Sequence, residues 1–585
     1  MFKILKNLTK KESVMAIIVV CLICVQIWLD LTLPDFMSEI TMLVQTEGSR
    51  MSEIIIAGGK MVGCALGSLL TAVFVSILAS RIASNCSYIL RGKVFNKVMS
   101  FSMKDINGFS TASLITRTTN DITQVQMLIV MGLQMLVKAP LTAIWAIWKI
   151  AGKNSSWTIA TGVAVLVLFI IVGICLSIAV PRFKKIQGLT DEINDKAKEN
   201  LNGLNVIRAY NAEEYQKKKF EKVNDKITTV HLYISRAMSF LMPSIQTISN
   251  VLILSIYLIG AVLINEAIGM EKMFLFSDMV VFSAYAMQVI ISFMMLVIVF
   301  MILPRAQVSA RRISEVLNTK NEIIPGNIKT GKIDKIGEVE FKNVSFKYPD
   351  GDGYILKNIN FTAKKGEVVA LIGSTGCGKS TIINLVPRFY DATEGTILVN
   401  GIDVKEYDKE ALNNIIGYVS QKATLFSGTI KSNIAYGENG KKVDEKAMIK
   451  TAVETAKAKE FVENLEDKYD SHVAQGGTNL SGGQKQRISI ARSIFRNPEI
   501  FIFDDSFSAL DYKTDRELRQ ALNEECRGTT RLIVGQRIGT IRDADKIIVI
   551  EDGEIVGIGK HEELLEKCEE YKQIALSQLS KEELA

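Results

Sequence analysis

Up to Leu303 the chain carries six apolar runs, near Val14–Leu33, Ile54–Ala79, Met127–Ile150, Trp157–Val180, Phe240–Asn265 and Met279–Leu303. Each is long enough to cross a bilayer, which takes about 20 residues. Spanning backbone must satisfy its own hydrogen bonds, so runs of this kind fold as helices. Residues 1–317 therefore read as an all-α transmembrane domain of six helices. The 585 residues are 48% hydrophobic overall, yet the second half has an ordinary soluble composition, so one domain does not suffice.

Lysine and arginine gather at the ends of the runs. Lys3, Lys6, Lys10 and Lys11 precede the first, Arg81 closes the second, Arg182, Lys184 and Lys185 follow the fourth, and Arg305 follows the sixth. The positive-inside rule puts those ends, both termini included, in the cytoplasm of a bacterial cell whose membrane the chain crosses several times. The loop after the first run sets Asp35, Glu39, Glu47 and Glu53 against Arg50, as an outer loop does; Lys149 and Lys153 on the next outer loop break the pattern mildly. These clusters account for the net charge of +7. No zinc spacing or nucleic-acid module accompanies it, so the expected partners are membrane lipid and a small molecule, with no nucleic acid. The first run is long and reads as a retained helix, not a cleaved signal peptide.

Arg81–Gln126 and Arg182–Met238 are long, charged and helical in pattern, as helices continuing into the cytoplasm would be. Each has a break, one near Asn107-Gly108-Phe109 ahead of Ser113–Arg117, the other over Asn200–Tyr210. The breaks would set two stubs far from the bilayer, within reach of a soluble domain; ordinary surface hairpins fit the pattern as well. Gly59, Gly63 and Gly67 recur every fourth residue, which favours close helix packing. Lys138 lies near the middle of the third run, two residues before Pro140. A charge there costs roughly 2.5–3.5 kcal/mol on insertion scales unless it is paired or hydrated. A wet pathway, a bond to a partner subunit and a structural ion pair all answer that cost. Met287, Phe293, Met294, Met295 and Phe300 suit an adaptable ligand wall, although core or lipid-facing packing is the commoner use. Cys21 and Cys24 fall inside an apolar helix and read as small packing residues, and the scattered cysteines suggest no disulfide framework.

Asn318–Gly337 is polar, with Pro325 and Gly326, and reads as a linker over 318–337. From 338 to 585 strands and helices alternate, giving an α/β domain. Glu367–Ile372 is a continuous apolar run suited to a buried strand, and it feeds Gly373-Ser374-Thr375-Gly376-Cys377-Gly378-Lys379-Ser380-Thr381. This is a complete phosphate-binding loop: its glycines let backbone N–H groups surround phosphate oxygens at a helix N-terminus. Lys379 is placed for the β- and γ-phosphates of ATP, Ser380 for Mg2+ and Thr381 for a neighbouring phosphate. Cys377 is a small side chain that fits, and its alkylation would cost ATP binding. Ile500–Asp504 is a second buried strand, ending in an acid that suits the Walker B role of holding Mg2+ through water. Between these elements stands Leu480-Ser481-Gly482-Gly483-Gln484, continuing Lys485-Gln486-Arg487.

With these pieces placed, the chain resembles ATP-binding cassette exporters of the half-transporter kind over nearly its whole length. The LSGGQ signature is specific to that superfamily, and six spans followed by a P-loop nucleotide-binding domain to its exporter branch. The resemblance implies that Tyr348 stacks on adenine, that Gln421 in Tyr418-Val419-Ser420-Gln421 senses Mg2+ and the attacking water, and that Ser508-Ala509-Leu510-Asp511 is the D-loop. It also implies that the two stubs are coupling helices, and that two nucleotide domains pair head to tail. Ser481, Gly482 and Gly483 would then bond the γ-phosphate of an ATP held by the partner.

Two positions depart from that pattern. Asp505 stands where the family has the glutamate that polarises water, and it is one methylene shorter. Gln536, in Ile533-Val534-Gly535-Gln536-Arg537, replaces the switch histidine. It can hydrogen-bond a phosphate but cannot carry the imidazole's proton or charge. General-base help is worth about 10²–10⁴-fold in rate. The expectation is a heterodimer, a homodimer being the alternative, that exports hydrophobic or amphipathic, multidrug-like compounds. In it this chain's own site binds ATP and cleaves it poorly, and hydrolysis falls mainly to the site completed by the partner. An importer with the same fold, as in iron-chelate uptake, and an ATP-gated channel or regulatory subunit remain open.

Overall fold

The computed structural model describes residues 10–46, 48–151, 154–349, 351–437 and 444–578, with backbone alone at 176, 179, 180, 183, 184, 187, 191 and 301. Lys3, Lys6, Glu47, Lys153 and the side chain of Lys184 lie outside what is described. The chain forms two compact units, Met1–Met99 with Thr111–Thr319, and Ser100–Ser110 with Lys320–Ala585.

Among the described residues of the first unit, six helices are long and apolar enough to cross a membrane: Lys10–Gln45, Met51–Met99, Thr111–Ala151, Ser155–Cys175, Glu213–Glu266 and Met270–Asn318. The fourth continues unbroken to Asn202. Glu213–Glu266 has 54 residues, on the order of 80 Å at 1.5 Å per residue, far more than a bilayer core requires. A six-residue helix, Leu204–Ala209, stands at the second break, with Leu204, Val206 and Tyr210 exposed.

Only 11–35% of each apolar window is buried, so most apolar side chains look outward, as lipid or a partner subunit requires. The inward contacts are specific. Fully buried Trp157 donates its Nε1–H to the Ile256 carbonyl at 3.1 Å and leans on Phe282 at 5.3 Å. Phe293 packs edge-on against Phe169 at 4.9 Å, whereas Phe300 is exposed. The glycine stripe behaves differently from its pattern. A Cβ on Gly67 would meet Leu29 Cδ1 at 3.3 Å, but one on Gly59 or Gly63 meets nothing within 4 Å. Only the end of the stripe is close-packed, because the first span touches that helix there. Cys21 and Cys24 are exposed rather than packed. Lys149, the exception to the charge pattern, pairs with Asp35 at 2.6 Å, and Lys138 pairs with Asp30 at 3.0 Å.

In the second unit the short helix Met103–Asn107 is closed at its start by Ser102 and Asp105, each side chain bonding the other's backbone N–H. Lys104 pairs with Glu322, Asn321 donates to Ser100 Oγ at 3.0 Å, and Asn107 donates to Tyr390 OH at 3.4 Å. Part of the polar connecting stretch is tied down too. Gly326 N–H donates to the Tyr407 carbonyl at 2.8 Å, and Ile328 N–H to that of Glu406 at 3.0 Å.

Among the described residues two larger sheets and one small one carry the rest. One is antiparallel, in the order β2 (Leu356–Ala363), β1 (Val339–Phe346), β4 (Glu394–Val399), β5 (Ile402–Asp403). The other runs β12 (Glu554–Gly559), β11 (Lys546–Glu551), β3 (Val368–Gly373), β10 (Thr530–Val534), β9 (Ile500–Asp504), β6 (Ile416–Val419). All its pairings but β11–β12 are parallel. Both faces of these strands are covered, so β9 and β10 are buried at every position. Strand register places the chemistry. Val534 is opposite both Leu371 and Asp504, and Val419 is opposite Phe503. The carboxyl ends of β3, β6, β9 and β10 therefore open on one edge, where ligands bind in sheets of this kind. β7 (Gly428–Thr429) and β8 (His472–Val473), distant in sequence, form a small antiparallel pair beside a mainly helical core.

Candidate functional site

The loop after β3 turns because its glycines allow it. Gly376 and Gly378 have φ of +89° and +103°, and a Cβ on Gly378 would sit 2.6 Å from Leu356 Cδ2. Ser374, Thr375 and Gly376 form the exposed rim, while Cys377, Gly378, Lys379 and Thr381 are buried beneath. Lys379 Nζ donates to the carbonyls of Gly373 at 2.8 Å and Ser374 at 2.6 Å, with Cys377 Sγ at 3.5 Å. The ammonium is thereby held at the mouth of the loop, at the N-terminus of helix Lys379–Leu385. Tyr348 shares a hydrogen bond with Thr381 Oγ1 at 3.1 Å and stands edge-on to Tyr390 at 5.2 Å, which sets an aromatic ring beside that N-terminus.

Ser380 Oγ donates to Asp504 Oδ1 at 2.7 Å, joining loop and β9. Burial raises the Asp504 carboxyl above its usual value, and the Ser380 hydroxyl opposes that rise. Asp505 follows in the left-handed region, φ +45°, a conformation aspartate tolerates better than most residues. Its N–H donates to the Val534 carbonyl at 3.1 Å. Its Oδ2 receives two amides, Gln421 Nε2 at 3.2 Å and Gln536 Nε2 at 2.9 Å. Burial pushes this carboxyl up as well, with the Gln421 hydrogen bond pulling it back.

Leu480–Gln484 rests on a different core. Ser481 caps helix Gly482–Phe495: its hydroxyl accepts from Gln484 N–H at 3.3 Å, and Gln484 Oε1 accepts from Ser481 N–H at 2.9 Å. Leu480 anchors the turn in the helical cluster, whereas Cys377, Ile382 and Leu385 belong to the cluster under β1 to β4. Ser481 and Gly482 are exposed, and a Cβ on Gly482 meets nothing within 4 Å. Gln486 Nε2 donates to the Ser420 carbonyl at 3.2 Å, tying the signature helix to the turn that carries Gln421.

Comparison with known proteins agrees with this geometry. The ABC transporter transmembrane region matches residues 15–293, and the ABC transporter model matches residues 356–508. An uncharacterized ABC transporter ATP-binding protein of Mycobacterium tuberculosis is 35% identical over 90% of this chain and 89% of its own. The uncharacterized ABC transporter ATP-binding protein YfiB of Bacillus subtilis is 36% identical over 90% of each. The chain belongs to the ABC transporter family. An ATP-dependent lipid A-core flippase of Pseudomonas aeruginosa is 30% identical over 89% of this chain and 83% of its own. The solved structure of a bacterial Atm1-family ABC exporter with ATP bound superposes with a TM-score of 0.80 at 24% identity, covering 98% of this chain and all of that one. The fold is thus that of an ABC exporter half-transporter, a membrane-spanning transport ATPase whose relatives work as dimers.

An ABC ATPase domain binds ATP, which implies Mg2+. The residues present fit that ion: Ser380 and Asp504 offer adjacent oxygens, and Mg2+ takes one or two protein oxygens beside water and phosphate. Bound there, it would draw charge from the phosphate oxygens.

Two residues of this ABC domain escaped the sequence reading. Arg537 donates to the carbonyls of Ser508 at 3.1 Å and Leu510 at 3.4 Å, and its guanidinium lies 4.8 Å from the Tyr512 ring centre. It clamps the segment before Asp511 to the residue after Gln536. Asp511 caps the next helix by accepting from Thr514 N–H at 2.9 Å, and these hydrogen bonds hold its carboxyl below the usual value. Gln578 donates to the Gln536 carbonyl at 2.7 Å and accepts from Ile538 N–H at 2.8 Å, so the last described helix grips the loop of Gln536. A basic residue beside the switch position was a usable signal for Arg537; none existed for Gln578.

Proposed function

We propose that the chain is one half of an ATP-driven exporter of hydrophobic or amphipathic compounds, paired with a different half-transporter. In this reading its own Walker A/B site binds ATP and cleaves it slowly. Domain limits of 1–317, 318–337 and 338–585, and cytoplasmic placement of the nucleotide domain and both termini, belong to the same proposal. The observation that carries it is the environment of Asp505. A carboxylate that readies water must reach it. Here the side chain is short, and the two amides of Gln421 and Gln536 converge on the same oxygen. Neither amide can take a proton.

Ser481, Gly482 and Gly483 then serve the partner's ATP, and the partner supplies the glutamate and histidine absent here. ATP beside Lys379 acts as a persistent clamp, and ATP at the other site is cleaved each cycle. Closure of the nucleotide domains moves the coupling helices, Met103–Asn107 and Leu204–Ala209, and shifts the spans from inward-open toward outward-open. A relative named as a lipid A-core flippase supports membrane amphiphiles as the substrate class.

ATP-driven uptake of a fluorescent amphiphile into inside-out vesicles tests this. Transport is expected only when this chain and a second half-transporter are made together. Full transport by this chain alone contradicts the heterodimer, and uptake confined to right-side-out vesicles contradicts export.

A further inference from the structure

Lys138 lies 11 and 12 residues from the ends of its apolar run, roughly 16–18 Å from each at 1.5 Å per residue. From that position its ammonium does not reach either end of its own run by snorkelling, although Asp30 lies only three residues from the end of the first run at Leu33. Lys138 pairs instead with Asp30 of the first span at 3.0 Å, and Ser68 of the second span donates to the other oxygen of the same carboxylate. Yet 21% of each charged side chain stays exposed, so the pair is not sealed in protein. The helix itself is irregular there. A π-helical turn, Gly132–Leu136, ends just before Lys138, and Pro140 follows. Such turns recur at functional sites, where they let a span change register. The Asp35–Lys149 pair differs in each respect. Lys149 is beside the end of its run, and Asp35 is also held by Tyr285 OH at 2.6 Å. That pair is an anchor; the deeper one is not.

Resting on the export reading above, we propose that Lys138 is the recognition point for an anionic group on the transported amphiphile, with Asp30 as its resident counter-ion. The two charges have unequal reserves. If Lys138 turns to an incoming anion, Asp30 keeps the Ser68 hydroxyl, and the lysine keeps a negative partner throughout. If Asp30 turned to a cation, Lys138 would lose its recorded side-chain partner in lipid. Exchange of one anion for another at the lysine therefore keeps the cation paired throughout and leaves the carboxylate the Ser68 hydrogen bond, and lysine's flexible stem suits the move. The exchange makes and breaks only ion pairs.

The test uses the transporter purified from its native membrane through a tag on this chain, with whatever subunit accompanies it, in liposomes. Three chain-matched alkyl amphiphiles, with phosphate, trimethylammonium and glucoside headgroups, are titrated against ATPase stimulation. The Asp30→Asn/Lys138→Gln variant removes both charges together, so neither is stranded, and Lys138→Arg keeps the cation. The alkyl phosphate is expected to need about ten times more for half-stimulation in the double variant, the scale of one hydrogen bond to a charged group. Lys138→Arg should retain the response, and the other two amphiphiles should be unaffected. An unchanged phosphate response, equal shifts for phosphate and glucoside, or a shift confined to trimethylammonium overturns the proposal while leaving export intact. No stimulation by any of the three in the unsubstituted transporter overturns the export reading and this proposal with it.

Discussion

Asp505→Glu combined with Gln536→His is expected to raise single-turnover ATP cleavage in the Lys379 pocket by about 10²-fold or more, the range general-base help supplies. The cause is geometric. Asp505 leaves β9 in a left-handed conformation, and its Oδ2 is held by amides at 2.9 and 3.2 Å. Glutamate adds the methylene that extends the carboxylate toward the attacking water. Histidine removes the nearer amide and provides a group that holds a proton. Each single change should do less, because Asp505→Glu alone still meets the Gln536 amide. Radiolabelled ATP, in a complex whose partner site has been silenced, gives the rate directly. A double variant no faster than the unsubstituted chain contradicts the assignment of the slow step to these two residues.

Gly482→Asp is expected to lower steady-state turnover of the complete transporter by about 10²-fold or more, the loss typical when one positioned anion-stabilising group is disabled. ATP binding beside Lys379 should be unchanged. The position allows a clean test. A Cβ there meets nothing within 4 Å, and the residue opens a helix capped by Ser481. A carboxylate at a helix N-terminus is favourable within this chain, so thermal unfolding should stay the same or shift upward. It opposes only a phosphate brought by the partner. Asp505→Ala should alter turnover modestly by comparison, and equal losses from the two changes contradict the division between sites.

The parts of this molecule that lie contiguous in sequence were legible there. The spans show as apolar runs, and the glycine loop after β3, the turn at Leu480–Gln484 and the strand β9 each encode their own backbone geometry locally. Relations fixed by register were not. Gln421 and Gln536 are 84 and 31 residues from Asp505, and they meet its carboxylate only because β6, β9 and β10 end together. The grip of Gln578 on the Gln536 loop spans 42 residues, and the Asp30–Lys138 pair spans 108. The glycine stripe misled for a related reason. Spacing fixes which residues share a helix face but not which neighbour covers it, and only Gly67 has Leu29 against it.

The central claim is that nucleotide beside Lys379 outlasts the transport cycle. Photo-crosslinking that nucleotide after sustained turnover of the complete transporter, then identifying what is bound, tests it most directly. Intact ATP on this chain, with diphosphate formed at the partner's phosphate loop, is the expected result. Diphosphate appearing beside Lys379 at the overall turnover rate would contradict it.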